Sequence, residues 1–184
     1  MSQPNTLRSR LPDVGTSIFT VMSVMARTHG AVNLAQGFPD FDCEEGLQDL
    51  VLHFMRKGYN QYAPMAGVPA LRSAIARKIE ATQGVAVDPE TEITVTAGAT
   101  EALFVAISAV VHPGDEVIVL EPAYDSYAPA VRLNGGRVVP IGLRPPAYRV
   151  DWDAVAAACT ARTRLIIVNN PHNPTGQIFA EADL

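Results

Sequence analysis

From Glu92 onward the hydrophobic positions fall into short runs at 93–96, 116–120, 137–141 and 164–168, and the stretches between them, 100–111, 125–134 and 151–159, carry apolar residues at helical spacing. Short β-branched runs of this kind suit strands, and the intervening period suits helices. Their alternation predicts an α/β fold: a largely parallel sheet flanked by helices and joined by right-handed crossovers. Before Glu92 the pattern is helical. Ile18, Val21, Met22 and Met25 mark a helix within 14–29 that Gly30 stops, and Leu47, Leu50, Val51 and Phe54 mark another over 44–57 that Gly58 caps. A third helix starts near Pro69, carries Leu71, Ile75, Ile79 and Thr82 on its apolar stripe and Arg72, Arg77, Lys78 and Glu80 on its charged face, and ends at Gly84. Residues 31–42 have no helical period and read as an extended connector.

The last apolar run opens directly into a loop, Leu165-Ile166-Ile167-Val168-Asn169-Asn170-Pro171-His172-Asn173-Pro174-Thr175-Gly176. In parallel sheets the active ends lie where strand gives way to loop, which places a site just after Val168. Gly98, Ala99 and Thr100 open the 100–111 helix after a predicted strand, so unpaired amides and the positive dipole end there can accept a phosphate. The plainer alternative is that Thr100 caps the helix and Gly98 allows a turn. Tyr124 follows the 116–120 strand at the same sheet edge, where a flat aromatic can stack on a ring; Tyr127 suits core or pocket lining. His172 reads as an ordinary loop residue between prolines, and His29, His53 and His112 as structural.

Composition narrows the ligand. The chain has 184 residues, 48% hydrophobic and 18% charged, with a net charge of −5, which suits one globular core and supplies no basic surface for nucleic acid or anionic membrane. No run reaches the roughly 20 apolar residues that span a bilayer, and the N-terminus lacks a signal-peptide layout, so a cytoplasmic location is the default expectation. Cys43 and Cys159 lie far apart and form no metal-binding pattern. Neither Gly-x-Gly-x-x-Gly nor a P-loop is present, which leaves a small-molecule site of another kind.

Three further segments sharpen the picture: Ala35-Gln36-Gly37-Phe38-Pro39, Thr96-Ala97-Gly98-Ala99-Thr100-Glu101-Ala102, and Glu121-Pro122-Ala123-Tyr124-Asp125-Ser126-Tyr127. In that order and with the Asn-Pro-His-Asn-Pro-Thr-Gly loop, they resemble the class I/II, fold-type I, pyridoxal-phosphate-dependent aminotransferases, in particular the branch acting on methionine, kynurenine and other hydrophobic or aromatic amino acids. The resemblance runs from about Leu34 to the last residue. It implies an N-terminal arm and small-domain segment over 1–45 and an incomplete cofactor-binding large domain over 46–184. It also implies pyridoxal 5'-phosphate as cofactor, with its phosphate on the amides of Ala99 and Thr100, its ring under Tyr124 and its phenolic oxygen at Asn173. Tyr62 matches the tyrosine that reaches the partner subunit's phosphate in a homodimer, and Gly37, with Asn173, matches a position facing the substrate carboxylate. Asn169 falls to loop support or to that carboxylate. Pro122 and Pro174 stand where the family often has cis peptide bonds.

The family's chemistry starts from a lysine held as a Schiff base with the cofactor. Lys57 and Lys78 are the only lysines, both upstream and in helical patterns, and neither matches. The resemblance places that lysine, an acid for the pyridine nitrogen and an arginine for the substrate carboxylate past Leu184. Residues 179–184 resemble the first turn of a helix, which cannot hold itself in isolation. The expectation is therefore a fragment, inactive alone, of an enzyme moving an amino group from a hydrophobic or aromatic L-amino acid to a 2-oxo acid. The alternatives are a β-lyase and a non-catalytic truncated or dimerisation module.

Overall fold

The computed structural model describes residues 7–37 and 39–183, so Phe38 of the Ala-Gln-Gly-Phe-Pro segment and Leu184 lie outside the described residues. The chain forms two compact units: one from the residues up to Ser17 together with those from Gly98 onward, the other Ile18–Ala97.

The Ile18–Ala97 unit is helical, with α1 (Ile18–Thr28), α2 (Glu45–Arg56) and α3 (Pro69–Gln83). The boundaries follow local chemistry. The Glu44 carboxylate accepts from the Leu47 amide at 2.9 Å and caps α2. Pro69 opens α3, where its missing N–H costs nothing, and Gly84 closes it in the left-handed conformation at φ +69°. Two expectations fail here. Arg72 does not face solvent: it is buried, and its guanidinium donates to the Pro89 carbonyl at 2.7 Å and to Glu90 Oε2 at 3.0 Å. The expected strand over 93–96 is an extended segment without a ladder among the described residues, because Val95 N–H donates instead to the Ala66 carbonyl at 3.0 Å. The apolar stripes of α1 and α2 stay exposed, and neither helix buries a residue among those described.

The other unit carries the sheet. Strands β1 (Glu116–Glu121), β2 (Arg137–Gly142) and β3 (Thr163–Ile167) pair in the order β2-β1-β3, all parallel, with a register shift beside Glu116 and Val117 in the β1·β3 ladder. Helices α4 (Ala99–Val110), α5 (Tyr127–Leu133) and α6 (Trp152–Ala158) complete it. Central β1 is buried on both faces, as its unbroken apolar run requires. Val117 and Val119 pack with Ile107 of α4 and Tyr127, Ala130 and Val131 of α5, while Ile118 and Leu120 pack with Ile141, Leu143, Val155 of α6 and Phe179. The result is a three-layer α/β arrangement, as the alternating pattern predicted. Gly136 makes room for it: an added Cβ would stand 2.7 Å from a Val111 methyl and 2.9 Å from a Val131 methyl.

At the amino ends of the strands, away from the loops that carry the predicted site residues, the inaccessible Glu116 ties the sheet together. Its Oε1 accepts from Arg137 Nη2 at 2.8 Å and from Arg162 Nη2 at 2.7 Å and Nε at 2.9 Å, and its Oε2 accepts from Thr160 Oγ1 at 2.8 Å. The hydrogen bonds from Arg137, then Arg162 and Thr160, lower its pKa from the 4.5 of a free glutamate to about 2. A depressed folded-state pKa stabilises the fold above pH 4.5, and that contribution is lost as pH falls toward 2. Urea unfolding midpoints measured across that window should fall for the parent chain. They should fall less for Glu116→Gln, which has no carboxylate left to protonate; equal slopes would refute the assignment.

Candidate functional site

At the carboxyl edge of the sheet an open hollow of about 690 Å³ lies between α4, the loop after β1 and the loop after β3. That volume falls inside the roughly 300–1,000 Å³ usual for small-molecule sites. Ala99, Ala102, Leu103 and Ala106, one face of α4 at helical spacing, form one wall. Ile167, Val168, Asn169 and Asn173 form another, and Tyr124 and Tyr127 contribute two rings.

The α4 wall ends in an anion-accepting feature. Gly98 is the N-cap, at φ +87° and ψ 168°, a conformation open essentially to glycine alone, and no side chain caps the helix there. The plainer reading of Thr100 as the cap does not hold, because α4 starts at Ala99 and Thr100 lies inside its first turn. First-turn amides have no acceptor within their own helix, so those of Ala99 and Thr100 are oriented for an anion by helix geometry and by the macrodipole. Thr100 also reaches the ring wall: its Oγ1 lies 3.3 Å from the Tyr124 hydroxyl.

Tyr124 belongs to the loop ahead of α5, not to the helix, whose first residue is Tyr127. The two rings meet edge to face with centroids 5.8 Å apart. Tyr127 is buried, which raises its pKa first through desolvation and then through the neighbouring Tyr124; Tyr124 is half-buried and presents its ring to the hollow.

The Asn-Pro loop is built by its own side chains. Asn169 Oδ1 accepts from the Asn173 amide at 2.8 Å, which gives Asn169 a loop-supporting role. Asn170 pairs with the backbone of Phe179, accepting at 3.0 Å and donating at 3.2 Å. The peptide bonds before Pro122 and Pro174 are cis, and so are those before Pro146 and Pro171. Among the described residues no cluster of His, Cys, Asp or Glu could hold a metal, and no helix is long and apolar enough to cross a membrane.

Of the residues singled out in the sequence, the fold thus brings Ala99, Tyr124 and Asn173 to one hollow, and Thr100 does not line it but meets the Tyr124 hydroxyl at its edge. Gly37 and Tyr62 belong to the other unit. Gly37 is exposed, with nothing within 4 Å of an added Cβ, and Tyr62 is fully exposed. Sequence reasoning missed the α4 wall, although Ala99, Ala102 and Ala106 stand at the spacing of a single helix face and their small side chains are what leave room for a ligand.

Residues 29–184 match the family described as aminotransferase class I and II. The chain belongs to that family. The methionine aminotransferase of Escherichia coli K12 is 55% identical over 176 residues, covering 96% of this chain and 46% of that protein. A probable N-succinyldiaminopimelate aminotransferase of Mycobacterium tuberculosis is 44% identical over 178 residues, covering 96% of this chain and 45% of that one. Among solved structures, E. coli YbdL, whose crystal structure and reactivity identified a methionine aminotransferase function, superposes with a TM-score of 0.94 at 54% identity over 98% of this chain and 47% of that one. The aspartate aminotransferase of Thermus thermophilus with maleate superposes with a TM-score of 0.89 at 37% identity, over 98% of this chain and 48% of that one. This aminotransferase-family chain spans about half the length of the curated relatives it matches. Their common fold accounts for its parallel sheet and flanking helices.

Proposed function

We propose that this chain contributes the cofactor cradle of a pyridoxal-phosphate-dependent aminotransferase that moves an amino group from a hydrophobic or aromatic L-amino acid to a 2-oxo acid. The observation that carries the reading is the single hollow that gathers a helix N-terminus without a side-chain cap, a tyrosine ring and an asparagine. Those groups fit a phosphorylated pyridine by the chemistry of the donor set: first-turn amides for the phosphate, Tyr124 for the ring face and the Asn173 carboxamide for the ring's phenolic oxygen. When bound, the cofactor acts as an electron sink.

The chain's own part is to bind and orient. Ala99 and Thr100 take the phosphate dianion, Tyr124 limits the tilt of the ring, and Asn173, held by Asn169, offers an N–H to the phenolic oxygen and favours its ionised form. The apolar faces of Leu103 and Ile167 keep water from the ring's flank. No lysine lines the hollow, so the proton-shuttling amine is outside this set of residues. Tyr62, free of packing within its own unit, supports a homodimer in which it serves the partner's phosphate. The preference for a hydrophobic or aromatic substrate rests on the likeness to the methionine aminotransferase.

Difference absorbance during titration with pyridoxal 5'-phosphate, and with pyridoxal lacking the phosphate, tests the reading. Saturable binding that weakens about tenfold or more without the phosphate is expected, since charge-assisted bonds are worth roughly 1.5–3 kcal/mol. Equal affinities, or no binding of either, would remove the basis for the proposal. In the full enzyme, formation of the new amino acid from L-methionine and a 2-oxo acid distinguishes transfer from β-elimination, which would release pyruvate and ammonia from a cysteine conjugate.

A further inference from the structure

Asn169 and Asn170 are neighbours in the chain, and their side chains make contacts in different directions. Asn169 lines the hollow, and its Oδ1 accepts from the Asn173 amide at 2.8 Å. Asn170 pairs instead with Phe179, nine residues on: its Oδ1 accepts from the Phe179 amide at 3.0 Å and its Nδ2 donates to the Phe179 carbonyl at 3.2 Å. One carboxamide thus satisfies both backbone groups of one residue, as a partner strand would.

Phe179 makes that pairing an anchor. It is 4% exposed beside Ile178 at 66%, and it belongs to the core cluster of Ile118 and Leu120 of β1, Ile141 of β2, Leu143, and Val155 of α6. Between Asn170 and Phe179 the chain makes a closed turn. His172 N–H donates to the Gln177 carbonyl at 2.8 Å, Gly176 N–H to the His172 carbonyl at 2.7 Å, and Thr175 Oγ1 accepts from the Gln177 amide at 3.2 Å. The His172 ring, itself only 3% exposed, lies against the Phe179 ring with centroids 5.7 Å apart. These bonds hold the shape of the turn, and Phe179 seats it on the core. Asn173 lies within the turn, so the seat decides where its carboxamide meets a ligand in the hollow.

We propose that Asn170 is a positioning residue of this site: by clamping the backbone of Phe179 it closes the 170–179 loop on the core and fixes where Asn173 meets the phenolic oxygen of the cofactor. The proposal rests on the cofactor reading above. It differs from a plain structural role, in which Asn170 opens a turn before Pro171 and supports stability alone. The choice of ligand separates the two roles. Asn173 addresses the phenolic oxygen, so a displaced loop weakens binding of pyridoxal 5'-phosphate and spares an analogue that lacks the 3-hydroxyl group.

The test titrates the parent chain, Asn170→Asp and Asn170→Ala with pyridoxal 5'-phosphate and with that analogue, beside thermal unfolding. Asn170→Asp keeps the shape and the acceptor for the Phe179 amide but sets a carboxylate oxygen against the Phe179 carbonyl; Asn170→Ala removes both ends of the clamp. Positioning predicts that each variant binds pyridoxal 5'-phosphate about tenfold more weakly than the parent, the worth of one hydrogen bond to a charged oxygen, while affinity for the analogue changes less than about twofold. Equal losses for the two ligands, or unchanged affinity in either variant, would overturn the proposal and leave Asn170 a stabilising turn residue. Should Asn170→Ala fail to fold, Asn170→Asp decides the question on the same terms. If the parent chain binds neither ligand saturably, the cofactor reading is at fault. The clamp is then judged by amide hydrogen exchange of the free protein: the Asn173 and Gly176 amides should exchange about tenfold faster in Asn170→Asp while those of β1 keep their rates, and equal protection in parent and variant would refute it.

Discussion

An aspartate in place of Ala99 is expected to weaken pyridoxal 5'-phosphate binding by about a hundredfold or more while leaving the fold intact. Ala99 is the first residue of α4, it is exposed, and it lines the hollow. A carboxylate at that position meets the positive end of the helix, which stabilises a helix by roughly 0.3–1 kcal/mol, so the melting temperature should hold or rise slightly. The same carboxylate stands where the phosphate would arrive, and like charges brought together cost several kcal/mol. Ala99→Asn, nearly the same shape without the charge, should stay within a few-fold of the parent. Cofactor titration beside thermal unfolding separates the two effects. An Ala99→Asp chain that binds as the parent does would mean that the phosphate lies elsewhere.

The second large effect is on stability. Ile118→Ala should cost about 3–5 kcal/mol, because Ile118 is fully inaccessible at the middle of the central strand, between Val139 of β2 and Ile166 of β3 in the ladders. The neighbours that would have to close the void, Ile141, Leu143, Val155 and Phe179, belong to three different segments and cannot all relax toward it. Against a typical total of roughly 5–15 kcal/mol, this loss is enough to populate the unfolded state. Ile178→Ala, at a position 66% exposed, should cost well under 1 kcal/mol. Urea denaturation of both variants measures the difference as a shift in midpoint at constant slope. A similar small shift for both would contradict the assignment of β1 as the buried centre of the sheet.

The parts of this fold that local chemistry controls are legible in the sequence alone. Pro69 and Gly84 bracket α3 because one lacks an N–H and the other adopts a left-handed turn, and β1 declares itself by an apolar run that only a doubly covered strand tolerates. The 93–96 segment misled because a β-branched run specifies an extended backbone, whereas a ladder needs a partner strand that no local signal supplies. Arg72 misled for a related reason: its charge predicts solvent, and only the folded chain brings the Pro89 carbonyl and the Glu90 carboxylate to it. The exposed stripes of α1 and α2 show that amphipathic spacing marks an apolar face without saying what covers it. In the site, Tyr124 and Asn173 could be named from their motifs. His172 could not, because its burial depends on Phe179 folding back over the loop through Asn170.

The most direct test of the account is an amide chemical-shift map of the isotopically labelled chain during titration with pyridoxal 5'-phosphate. The geometry predicts that the Ala99 and Thr100 backbone amides, the Tyr124 amide and the Asn173 carboxamide move together with one dissociation constant, and that inorganic phosphate alone moves only the first two. Shifts that bypass Ala99 and Thr100, or that follow separate constants at Tyr124 and Asn173, would contradict a common hollow built for a phosphorylated ring.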